Sequence, residues 1–149
     1  MCYILFLSTS SLIDLSAEST TLVRFENLRA DDIIAAGLHY SYKWYVGSKS
    51  GCSCSFRHLL TSDLGFGKPE DWFPENDGDI DATRTFVLVV RKLLYDGHRV
   101  DCMDTWHGAK SAEIVKMEVD LGGIADDEFR FFENYHFVFT KAAPATLSS

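Results

Sequence analysis

Cys52 and Cys54 flank one serine, and in an extended chain residues i and i+2 point the same way, so both sulfurs share a face. His58 lies four residues further on and joins that face if the strand is unbroken. Thiolates and imidazoles are zinc ligands, and Cys102, on another strand, would complete a tetrahedral set with Cys52, Cys54 and His58. The usual structural zinc signature, however, repeats a two-residue gap twice, and here a single short-gap pair occurs once. The expectation is therefore no bound metal and no cofactor, with Cys2, Cys52, Cys54 and Cys102 packed as small hydrophobic thiols. The alternative chemistry is nucleophilic. Cys52 or Cys54 would act as a thiolate with His58, His107 or His136 as its base, provided the two meet in space. A disulfide across one residue would be strained, which disfavours a redox couple.

The densest polar group is Asp101, Asp104, Trp106 and His107, at the end of one strand and just before Gly108. Strand ends commonly carry ligand sites, and His107 with either aspartate makes an acid–base pair. These four are the expected ligand-binding residues. Asp77, Asp79 and Asp81 imitate the opening of a calcium loop, but Ala82 stands where the glycine belongs and Leu88 where the bidentate glutamate belongs. Asp79 as a helix cap explains them better. Glu133 interrupts an aromatic strand, and with His136 it offers a pocket reading, but His136 as a core residue with a backbone partner explains the pattern better. Tyr40, Tyr42, Trp44 and Trp72 read mostly as core. Phosphate loops, serine nucleophile elbows, metalloprotease helices and kinase signatures are missing from the sequence.

Positioning these groups falls to a short series of elements. Residues 2–8 read as a buried strand, and Ser8 to Ser11 offer caps for a short helix over Leu12 to Ala17. Residues 21–28 alternate weakly, so strand and loop compete there. His39 to Val46 is dense in β-favouring residues and ends at Gly47, and residues 51–59 are expected to pair with it as a hairpin. Residues 61–78, with their glycines, prolines and aromatics, read as an ordered loop. The clearest helix runs over about residues 80–96, with Ile80, Thr83, Val87, Val90 and Leu94 at three-to-four spacing, Phe86 and Leu93 widening the stripe, and Gly97 just beyond. Arg99 to Trp106, Ile114 to Leu121 and Phe129 to Thr140 read as strands. The second of these shows Lys116, Glu118 and Asp120 to solvent.

The chain has 149 residues, enough for one core, and its 46% apolar content is too high for disorder. The fold expected is α+β: one domain over 1–141, with a mixed, mostly antiparallel sheet of five or six strands, the helix on one face and a disordered tail over 142–149. The opposite face stays wet or serves a homodimer. A net charge of −8 disfavours nucleic acid and anionic membrane as partners. The opening apolar run is too short for a signal peptide, which points to the cytoplasm and to reduced thiols. The function expected is a small binding or accessory module with a polar cleft near Asp104, Trp106 and His107. The alternatives are a thiol- or metal-dependent enzyme using the Cys52–Cys54 segment with His58, and a structural homodimer.

Overall fold

The first strand decides the architecture, because it is buried on both faces and so must lie in the middle of a sheet. In the computed structural model, which describes residues 3–28, 37–49, 53–59, 62–72, 74–106 and 114–140, β1 (Tyr3–Thr9) lies between β3 (Tyr42–Ser48) and β5 (Val100–Trp106). The fold is α+β. A six-stranded mixed sheet runs β2-β3-β1-β5-β8-β6, adding β2 (Val23–Asn27), β8 (Tyr135–Thr140) and β6 (Val115–Asp120). Only β6 and β8 pair in parallel within it. The expected C-terminal tail, 142–149, falls outside the described residues.

Register sorts the side chains by face. Leu5 is opposite Val46 and Asp104, Leu7 opposite Trp44 and Cys102, and Cys102 opposite Phe137, so these residues all project to one side. That side is covered by α1 (Asp77–Tyr95), whose Phe86, Val87, Val90, Leu93 and Leu94 are buried against it. The helix starts three residues before the expected Ile80, because Asn76 rather than Asp79 is the cap: its side chain accepts the Gly78 N–H at 2.7 Å. At the other end Gly97 has φ +91°, and the N–H groups of Gly97 and His98 bond back to Leu94 O and Leu93 O, each at 3.0 Å.

Three expectations need correction. The helix over Leu12 to Ala17 is instead a single 3₁₀ turn, Leu15–Glu18, capped by Asp14. Among the described residues 53–59 no ladder to β3 forms: β2 and β1 flank most of β3, and His58–Leu59 pairs elsewhere. The Phe129–Thr140 strand is broken at Glu133 and Asn134, where Asn134 adopts φ 60°. Its first part, β7 (Phe131–Phe132), leaves the main sheet and pairs in parallel with β4 (His58–Leu59). The second face is not simply wet. Phe6, Leu38 and Met103 form a small core there, with Ile4, Leu28 and Tyr45 against them.

Candidate functional site

The site grows from the point where β3 leaves β1. Their pairing ends at Leu5 and Val46, which strands the N–H and C=O of Tyr3 on that edge. The Ser53–Cys54 segment satisfies them: Ser53 N–H donates to Tyr3 O at 3.2 Å, and Tyr3 N–H donates to the Cys54 sulfur at 3.3 Å. Ser53 is buried, its hydroxyl donating to Val46 O at 2.6 Å and accepting Leu5 N–H at 2.9 Å. These four bonds weld the segment carrying Cys54 to the end of β1.

His58 is held from three sides. Its backbone is in register with Phe131 through the β4–β7 pair, and Arg57 N–H is fixed to Thr83 Oγ1 of α1 at 2.9 Å. The ring stacks on Tyr3 at 4.1 Å between centroids and 6° between planes. Nε2 lies 2.5 Å from Ser53 O, and Nδ1 lies 2.9 Å from Asp104 Oδ2. A carbonyl oxygen only accepts, so Nε2 carries a hydrogen, and one further proton is shared between Nδ1 and the carboxylate.

The electrostatics follow from burial. Asp104 is wholly buried, and desolvation pushes its carboxyl up to about 6, against the pull of His58. For His58, burial works against the charged form, but the charge and hydrogen bond of Asp104 and the Ser53 carbonyl outweigh it and raise the imidazole above its ordinary value. Burial, with the charges of Glu133 and Asp104 and a hydrogen bond to Glu133, drives the Tyr3 hydroxyl up to about 12. Among the described residues, Asp104 Oδ1 is buried with no donor. Tyr3, Cys54 and Glu133 are partly exposed above it.

The expected site residues are therefore divided. Asp104 joins His58 and the Cys54 segment on the helix-covered face, whereas Asp101, three residues earlier, projects to the opposite face. There it accepts from Ser8 Oγ, from His39 N–H at 2.9 Å and from His136 Nε2 at 2.6 Å. The partner of His136 is thus a side chain, not backbone. One cleft cannot hold both aspartates. β5 ends at Trp106, in register with Tyr3, while His107, Cys52 and Cys2 lie outside the described residues. Of the zinc set, Cys52 lies outside the described residues; among the described residues three potential ligands converge at His39, Asp101 and His136, and Cys54, His58 and Cys102 form no such group. Cys102 is buried between Leu7 and Phe137, where burial and the two flanking aspartates push its thiol well up.

Sequence reasoning missed Tyr3, Ser53 and Ser8, whose roles come only from cross-strand register. It also missed the clamp beneath the 62–76 loop. Buried Arg57 makes two 2.7 Å bonds to the Glu75 carboxylate and bonds to the carbonyls of Gly67, Asp127 and Phe129, and Arg130 adds a 3.2 Å bond to Glu75. Burial works against the charged form, but Arg57 and, after it, Arg130 hold the Glu75 carboxyl below its usual range.

Comparison with protein-family models, with curated proteins and with solved structures finds no match to this chain. The site alone must carry the functional reading. Among the described residues, no helix is long and apolar enough to cross a membrane.

Proposed function

We propose that this protein is a small binding module whose ligand carries a positive charge, an amine or a guanidine, seated at Tyr3, Cys54 and Glu133 above the His58–Asp104 pair. The observation that carries this reading is Asp104 Oδ1, a buried carboxylate oxygen with no donor among the described residues. A buried acceptor left unsatisfied is costly, and a ligand N–H removes that cost. Asp104 and Glu133 both act on the Tyr3 hydroxyl, so the potential there is negative, in keeping with the net charge of −8. That charge also supports a ligand other than nucleic acid, and the thiol reading of the cysteines supports a cytoplasmic setting.

The test is an NMR titration with methylamine and with guanidine, acetate serving as the opposite charge. The cations should shift the Tyr3 and His58 ring resonances and lower the His58 pKa by adding positive charge nearby. Asp104→Asn should weaken binding about tenfold or more, as loss of a charge-assisted bond does. Glu133→Gln, on the exposed rim, should weaken it less. Acetate binding in place of the cations, or cation binding indifferent to both substitutions, overturns the reading.

A second reading, thiol chemistry at Cys54, is favoured by one observation, the Tyr3 N–H donated to its sulfur, which would stabilise a thiolate. Against it, His58 Nε2 is engaged by Ser53 O. In a Cys2→Ser, Cys52→Ser background, rapid alkylation of Cys54 at neutral pH that slows in His58→Gln supports it. A folded protein with an unreactive Cys54 removes it.

A further inference from the structure

The opposite face of the sheet holds a second set of groups, independent of the cation site: His39, Asp101 and His136 each offer one ligand atom, and these three atoms all lie within 4.8 Å of one another. We propose that these three side chains bind a divalent transition-metal ion, zinc being the ion of choice. Two imidazoles and one carboxylate are a recurrent ligand set for such ions, and three protein ligands leave a position open to solvent.

The geometry argues for an ion rather than for a hydrogen-bonded cluster alone. Asp101 Oδ2 already accepts from His39 N–H at 2.9 Å and from His136 at 2.6 Å, and Oδ1 accepts from Ser8. The carboxylate has no need of the His39 ring. Yet Nδ1 of that ring faces Oδ2 at 3.7 Å, too far for a hydrogen bond, and the ring stands edge-on to His136 with centroids 4.7 Å apart. An ion with bonds of about 2.0–2.2 Å spans both separations, at angles of about 78° across the 2.6 Å pair and about 126° across the 3.7 Å pair.

The surroundings are those of a ligand set held in place. Tyr40 N–H donates to Ser8 Oγ at 3.1 Å, which commits the Ser8 hydroxyl hydrogen to Asp101 and fixes the carboxylate plane. The Asp101 side chain is wholly buried and that of His136 8% exposed, whereas His39 is 38% exposed and forms the mouth. Binding replaces the Nε2 hydrogen of His136 with the metal and releases that proton to solvent.

The experiment uses the full chain stripped of metal and titrated with zinc and with cobalt. One ion per chain should bind, with a cobalt spectrum that shows d–d bands and no thiolate charge transfer. His39→Ala, on an exposed side chain with folding checked by circular dichroism, should weaken affinity at least about 10–100-fold, the range seen even for residues that only support a ligand. His136→Gln should do likewise. Failure to bind a stoichiometric ion, a thiolate band, or full affinity in folded His39→Ala each overturns the proposal. None of these outcomes bears on amine binding at the other face.

Discussion

Asp101 and Asp104 stand three residues apart on β5 and look to opposite faces of the sheet, each with a histidine: His136 at 2.6 Å for Asp101 and His58 at 2.9 Å for Asp104. An odd spacing on a strand always divides a pair in this way. Both carboxylates are wholly buried, and each is hydrogen-bonded to its histidine. One strand therefore anchors two separate polar sites in an otherwise aromatic and aliphatic protein.

Breaking the inner pair from one side should cost more than altering it in place. His58→Ala leaves a buried carboxylate without its donor and should destabilise the fold by about 3–5 kcal/mol. Asp104→Asn keeps the shape and offers an amide to a neutral His58, at a cost of about 1 kcal/mol. Urea denaturation at neutral pH compares the two. Equal losses would mean that the pair is not a coupled unit.

The pair also sets a pH dependence. Asp104 rises in the fold from 3.8 to about 6, so its contribution is fully present below 3.8 and declines as pH climbs through about 6. His58 is raised above 6.5, so its contribution is fully present below 6.5 and is lost as pH rises through the folded value. Both signs agree: the stability advantage of the native chain over Asp104→Asn should shrink from acid to alkaline pH. Glu75, lowered from 4.5, works the other way, contributing above 4.5 and losing that contribution as pH falls through its folded value. Thermal melts of both proteins across this range give the comparison.

The Arg57–Glu75–Arg130 clamp should control the 62–76 loop. Glu75→Gln leaves two buried guanidiniums without their counter-charge and should cost about 3–5 kcal/mol. Limited proteolysis should then cut first within residues 62–76, because Gly65, Gly67 and Lys68 carbonyls are tied to these arginines.

Asn76→Ala tests the helix start. Loss of the 2.7 Å bond to Gly78 N–H should cost about 0.5–2 kcal/mol, and Asp79→Asn should cost less. The reverse order would restore Asp79 as the cap.

Residues with strong alternation or helical spacing were legible from sequence. Val100 to Thr105 alternates between the two faces of the sheet, and Phe86, Val87, Val90, Leu93 and Leu94 all face the core. What sequence hides is partnership. The aromatic run through Phe131 and Phe139 reads as one strand because alternation survives the Glu133–Asn134 turn, although its two parts join different sheets. Residues 51–59 look like a hairpin partner for β3 because local pattern does not reveal that β1 and β2 flank most of β3 and that His58–Leu59 pairs with β7. The link from Cys54 and His58 to Asp104 joins distant parts of the chain and leaves no local pattern, and Tyr3, the residue that joins them, gives no signal beyond being aromatic.

The central claim is that His58 and Asp104 are one buried unit holding a shared proton at the heart of the site. Nitrogen-15 NMR of the His58 imidazole, followed through a pH titration, measures this directly. Nε2 should remain protonated throughout, and His58 should titrate above 6.5, with the elevation lost in Asp104→Asn. A His58 that titrates at or below 6.5, or whose neutral form carries its hydrogen on Nδ1, would contradict the account.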